Sequence, residues 1–310
     1  MRRPELRIVS AVVGLTMFLF ACAPKPAPDR TRFGTPDEAA KALMNAFKTD
    51  NAEAFKAIFG PDVETAVSSG DPVSDRHDRQ TMALAMEQSW RWAPLGAGKQ
   101  ELVIGDENWP FPVPLANVRG GWQFDTDAGA DQIISRRIGR NELRVIDVCR
   151  DYVPMQKAYA SQPRDGKLAG LYAQKFRSSP GRQDGLYWRV GEETPSPLGD
   201  LVAQAVVEGY DENMASSEPL WGYHFRVLTA QGAAAKGGAR SYIVNGEMSG
   251  GFGLIAYPAE YGRGGIMTFV VNQDGVVYQK DLGDDTLKVA AGLNEYNPDG
   301  TWAEVKEPKS

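Results

Sequence analysis

Histidine and cysteine supply many enzyme and metal sites, and this sequence contains few of either. Its histidines are His77 and His224, and its cysteines are Cys22 and Cys149. Two histidines are too few for a His-based metal cluster, and two cysteines are too few for a disulfide framework. No HExxH, GxSxG or Walker pattern occurs in the chain. We therefore predict no catalytic set, no metal and no cofactor.

Two short charged runs are the remaining candidates for binding or acid–base chemistry. Residues 74–79 mix acids and bases around His77, and Arg136, Arg137 and Arg140 form a brief basic patch. Catalytic Asp and His need burial to bring their pKa values near neutrality, so we interpret the first run as a solvated helix face. The basic patch is interpreted as a solvated helix end, with anion binding left open.

Composition places these residues in a globular protein. The chain has 310 residues, of which 42% are hydrophobic and 24% charged, and its net charge is −6. This length corresponds to about two domains. Nucleic-acid binding is not predicted, because that affinity is carried by clustered Lys and Arg, and no extended cluster occurs.

The amino terminus has the pattern of a secretory signal. Arg2, Arg3 and Arg7 precede a nearly apolar run over residues 8–21, which is shorter than the ~20 residues that span a bilayer comfortably. We therefore predict a signal peptide over residues 1–21, removed from the mature protein.

The signal ends at Leu-Phe-Ala-Cys, residues 19–22, which resembles a bacterial lipobox. The resemblance implies acylation of Cys22, with palmitate as one expected acyl chain. Ala23 after the cysteine implies the outer membrane. Residues 22–33, with three prolines, would then be a lipidated, stiff, Pro-rich tether.

Residues 34–138 begin with helices and continue with short strands. Thr35, Pro36 and Glu38 form a helix start with a capping box. The order "TPDEAAKALMNAFKTDNAEAFKAIFGPDV" followed by "GGWQFD" resembles the NTF2-like fold, in which helices close over a curved sheet. That resemblance implies a pocket. The candidate ligand-binding residues are Trp90, Trp109, Phe111 and Trp122.

Residues 139–310 combine one helix with an antiparallel meander. A break is expected at Gly139, and beyond it Cys149 lies on an apolar helical stripe, so we expect Cys149 to be structural. Asn245–Gly246 predicts a hairpin. "NELRVIDVCRDYVPMQKAYAS" followed by "WGYHFRVLTA" is similar to the globular part of pilins and pseudopilins, a helix packed on an antiparallel sheet. Candidate surface aromatics are Tyr187, Trp188 and Trp221.

Five further segments point to one family across about residues 33–302. They are "SSGDPVSDR", "ENWPFPVPL", "RRIGRNEL", "PGRQDGLYW" and "MTFVVNQDGVVYQKDLG". Together they resemble the bacterial domain-of-unknown-function family 2950. The resemblance implies an α+β architecture with an NTF2-like part and a pilin-like part, and it implies no particular reaction.

The leading expectation is a non-catalytic lipoprotein of the cell envelope, anchored in the outer membrane and facing the periplasm. It would bind or assemble with another envelope component. One alternative is a small-molecule binder, or a hydrolase- or isomerase-like enzyme, using a pocket in the first part. A further alternative is glycan or peptidoglycan binding through surface aromatics.

Overall fold

The computed structural model describes residues 27, 29–61, 63, 68–189, 195–211 and 218–306. The predicted signal peptide and Cys22 lie outside the described residues. Within the described ranges, no helix is both long enough and apolar enough to cross a membrane.

Within the described ranges, the first part packs three helices against an antiparallel sheet. Thr35 caps α1 by accepting a hydrogen bond from the Glu38 amide at 3.2 Å, while the Glu38 carboxylate accepts from the Gly34 amide at 2.8 Å. Strands β1, β2, β4 and β5 pair in that order, and β3 also pairs with β2. The elements are α1 Pro36–Thr49, α2 Ala52–Phe59, α3 Pro72–Gln88, β1 Trp90–Gly96, β2 Lys99–Ile104, β3 Trp109–Pro110, β4 Leu115–Val118 and β5 Gly121–Phe124.

One long helix, α4 at Thr126–Ala160, joins the two parts. The expected break at Gly139 is wrong, because the helix runs through that position without interruption. Gly139 faces open space, and a Cβ added there would have no atom from another segment of the chain within 4 Å. A glycine weakens a helix by only about 1 kcal/mol, and packing on both sides of Gly139 outweighs that cost.

The second part packs α4 on a five-stranded antiparallel sheet ordered β15-β13-β12-β11-β6. Cys149, Tyr152 and Val153 of α4 lie in one core with Leu254 and Phe269 of the sheet. The elements are α5 Gly199–Val207, β6 Tyr223–Leu228, β7 Ala230–Gln231, β8 Arg240–Ser241, β9 Ile243–Val244, β10 Glu247–Met248, β11 Gly253–Pro258, β12 Met267–Asn272, β13 Tyr278–Asp281, α6 Thr286–Gly292, β14 Glu295–Tyr296 and β15 Ala303–Glu304.

These layers confirm the α+β class. The predicted hairpin is also present, because β9 and β10 pair around Asn245 and Gly246, both with positive φ. Such a turn needs two left-handed residues, which Asn-Gly supplies readily. The NTF2-like and pilin-like assignments of the two parts stay predictions.

Buried hydrogen bonds tie the two parts together beside the start of α3. Asp71 caps α3 by accepting from the Val73 and Ser74 amides at 3.2 and 3.1 Å. Its other oxygen accepts from the Tyr210 hydroxyl at 2.5 Å and from the Gly222 amide at 3.0 Å. Because Asp71 is 1% exposed, its charge depends on these donors from the second part. We call Asp71 and its four donors, Val73, Ser74, Tyr210 and Gly222, the Asp71 junction.

Candidate functional site

The first part contains a cavity of about 180 Å³ with an apolar wall. Phe47 and Phe55 have ring centroids 5.2 Å apart, and Phe59 and Phe111 have centroids 6.2 Å apart. A dry cavity of ~150 Å³ can hold benzene. The space therefore admits one ring or a short alkyl chain. The apolar lining comes from α1, α2, α3, the β3 region and α4, and its main residues are Phe47, Phe55, Phe59, Met82, Phe111 and Ile133.

Charged side chains from two facing helices line the rest of the cavity. Helix α3 contributes Asp75, Asp78 and Arg79, and α4 contributes Arg136, Arg137 and Arg140. Within each set the residues are one, three or four positions apart, a spacing that puts them on adjoining positions of one helix face. The two charged runs interpreted from sequence as solvated faces thus converge on one cavity.

Three of the four arginines lie next to carboxylates. Arg79 forms an ion pair with Asp50 at 2.5 Å, and Arg140 pairs with Asp78. Arg137 is 7% exposed, donates to the Ser68 carbonyl at 2.7 Å and is attracted by the charge of Asp75.

Arg136 is held differently. Its Nη1 donates to the Pro110 carbonyl at 2.5 Å, and its Cζ lies 5.1 Å from the centre of the Trp109 ring. Among the described residues, no carboxylate forms an ion pair with Arg136. Its positive charge is therefore balanced only by a carbonyl dipole and a ring face.

Burial changes the proton affinity of two groups in the cavity wall. It raises the pKa of Asp75, against the lowering effect of hydrogen bonds from Ser69 and of the charge on Arg137. It lowers the pKa of Arg137, against the opposing effect of Asp75 and Asp78. Both Asp75 oxygens accept from the Ser69 amide, at 3.2 and 3.0 Å. This carboxylate is thereby held in place as part of the wall, an arrangement suited to binding.

Two of the four predicted ligand-binding residues line the cavity. Trp109 is half-buried and Phe111 is buried, and both contribute to the wall. Trp90 and Trp122 lie outside that wall and pack, half-buried, against the same core. The arginines and aspartates of the cavity were not assigned to it from sequence. Their spacing along α3 and α4 is the signal that could have found them.

The predicted surface aromatics are not exposed. Tyr187, Trp188 and Trp221 are 6%, 4% and 1% exposed. Arginines cover their rings, with Arg164 Cζ lying 4.7 Å from the Trp188 centroid and Arg144 Cζ lying 4.5 Å from that of Trp221. A sugar needs an accessible ring face, so the expectation of a surface platform at these residues is wrong.

Cys149 lies in the core of the second part, as its apolar stripe predicts. It is fully buried, and burial raises the pKa of its thiol to about 12. A thiol with so high a pKa is a poor nucleophile at neutral pH. In the parts of the chain that the structure describes, no three His, Cys, Asp or Glu residues are grouped to hold a metal ion.

Fold and cavity together define a class of α+β protein. One long helix joins two antiparallel sheets, and the first part has a small open cavity lined by apolar and charged side chains. The family model described as "Protein of unknown function (DUF2950)" matches residues 30–305, and the chain belongs to this family. No match was found among the curated proteins or among the solved structures.

Proposed function

We propose that this chain is a lipid-anchored binding protein of the bacterial cell envelope, and that the cavity of its first part holds a small molecule. The observation that carries the binding role is the convergence of an apolar wall with fixed charged groups in one concave site. Ligand sites typically combine these two features. The envelope location rests on the signal-like amino terminus and on Cys22.

The contacts of Asp75 favour binding over catalysis for this site. This acid is the closest to a catalytic group, yet both of its oxygens accept from the Ser69 amide and it lies beside Arg137. A general base must lie within hydrogen-bond reach of the proton it removes, whereas the Ser69 amide fixes this carboxylate as part of the wall. A positioned wall residue explains Asp75 without a reaction.

Filling the cavity tests the binding role. Ile133→Phe adds volume to the wall, whereas Ile134→Phe adds the same volume at the next residue of α4, which does not line the cavity. We expect benzyl alcohol, a neutral one-ring probe, to bind the wild type and the Ile134→Phe variant, measured by calorimetry. Ile133→Phe should weaken that binding by about tenfold or more through lost space.

Equal binding by the wild type and the Ile133→Phe variant would place the probe elsewhere and contradict the cavity as the site. The melting temperature of both variants is measured in parallel, so that loss of binding through unfolding is recognised.

Labelling with a palmitate analogue tests the anchor. The chain has two cysteines, which makes Cys149→Ser a matched control for Cys22→Ser. We expect the label on the wild type and on Cys149→Ser, and its loss from Cys22→Ser together with release from the membrane fraction. An unlabelled wild type, or a label that persists in Cys22→Ser, would rule out the lipid anchor.

A further inference from the structure

Over the part of the chain that the structure describes, arginines outnumber carboxylates in the cavity lining. Four arginines and two aspartates line it, and Asp50 pairs with Arg79 from outside the wall. Asp75 and Asp78 lie beside Arg137 and Arg140, while Asp50 is shared between Arg79 and Arg76. Among the described residues that line the cavity, Arg136 is the arginine that forms no ion pair with a carboxylate and has none beside it.

Arg136 is also fixed in position before any ligand arrives. Its guanidinium is held by the Pro110 carbonyl on one side and lies over the Trp109 ring on the other. A guanidinium has five N–H donors in a planar fork. One bond to a carbonyl leaves donors free to bind an oxyanion with little further loss of side-chain freedom.

The apolar wall limits what can accompany that oxyanion. About 180 Å³ lined by phenylalanines, Met82 and Ile133 admits one ring or a short alkyl chain, and this lining favours an apolar body beside the charged residues. The ligand therefore has an apolar body and a single polar end.

From these observations we infer that the cavity binds a small organic monoanion, with its apolar ring or short chain against the phenylalanine wall and its carboxylate on Arg136. This inference rests on the proposed function and adds the chemical class of the ligand. Arg136 is the specificity residue, and Trp109 is its positioning residue.

Two probes of nearly the same shape distinguish the contribution of the anionic group to affinity from that of the apolar body. Phenylacetate carries a carboxylate where phenylacetamide carries a neutral amide. We expect calorimetry of the wild-type protein to show phenylacetate binding at least about tenfold more tightly, the factor that one charge-assisted hydrogen bond supplies. Hexanoate in a parallel titration distinguishes a chain from a ring as the apolar body.

The Arg136→Gln variant tests the residue. It should bring the affinity ratio of the two probes close to one, and its melting temperature, measured in parallel, verifies that the variant is folded. Arg150→Gln is the matched control, because Arg150 lies on the same helix outside the cavity and pairs with Asp147. That variant should retain the wild-type ratio.

Equal affinity of the wild type for both probes, or a ratio that persists in Arg136→Gln, overturns the inference. If benzyl alcohol still binds in an Ile133-dependent way in that case, the cavity remains a site for neutral molecules and only the anion preference fails. If none of the probes binds, the proposed function fails with it.

Discussion

At the residue scale, we expect buried polar groups to contribute more to the stability of this fold than exposed ones, and the Asp71 junction is the clearest case. Burial and the charge of Asp71 raise the pKa of Tyr210. The hydroxyl therefore stays protonated and donates to Asp71, while it accepts from the Trp221 amide at 2.9 Å. Removing this hydroxyl takes one hydrogen-bond donor from the buried Asp71 carboxylate and the acceptor from the buried Trp221 amide.

The Tyr210→Phe variant should consequently lower the free energy of unfolding by about 1–3 kcal/mol, measured by urea denaturation. Tyr261→Phe is the control, because Tyr261 also donates to an aspartate, Asp281, at 3.3 Å but on the surface. Its loss should cost less than about 0.5 kcal/mol. Similar values for the two variants would show that the Asp71 junction does not stabilise the fold.

At the element scale, α4 places three arginines in the cavity and residues such as Asn141 and Glu142 against the second part. The side-chain amide of Asn141 donates to the Gly264 carbonyl at 2.9 Å. The Glu142 carboxylate accepts from the backbone amides of Ile266 and Met267 at 2.9 Å each. One rigid helix thus fixes the cavity wall relative to the second sheet. Gly139, which lies among the cavity arginines between Arg137 and Arg140, is tolerated because it faces open space and no side chain is needed there.

Two glycines of α4 give opposite predictions for the same substitution. Gly139→Ala adds a methyl group in open space and should raise the free energy of unfolding by about 0.5–1 kcal/mol. Gly129→Ala places a Cβ 2.6 Å from the Val113 Cα and 2.8 Å from the Pro112 carbonyl oxygen, so it should destabilise the protein. Thermal unfolding of both variants checks the pair, and destabilisation by Gly139→Ala would mean that α4 is not continuous there.

Helix starts could be predicted from sequence because their signals are local. Thr35, Pro36 and Glu38 predict the start of α1, and the structure has it at Pro36. A second local signal lies at α2, where Asn51 is the cap and accepts from the Ala54 amide at 3.0 Å. Asp50 ends α1 in a left-handed conformation.

At the scale of the whole molecule, the sequence predicted the α+β class and, through a resemblance, a pocket in the first part, but it did not predict the charged residues that line the cavity. Asp78 and Arg140 are 62 residues apart in the chain, and the fold brings them together by placing α3 and α4 at the same cavity. Each charged run by itself has the composition of a solvated helix face. The buried aromatics were misassigned for a related reason, because the arginines that cover them, such as Arg164 over Trp188, come from other segments.

The central claim is that the cavity of the first part is a binding site, and chemical-shift mapping of the isotope-labelled protein with benzyl alcohol tests it most directly. We predict saturable shifts of the Trp109 indole N–H and of the backbone amides of Phe47, Phe111 and Ile133. The Trp221 indole, buried in the second part, should not move. Shifts confined to other regions, or no shifts at saturating probe, would contradict the claim.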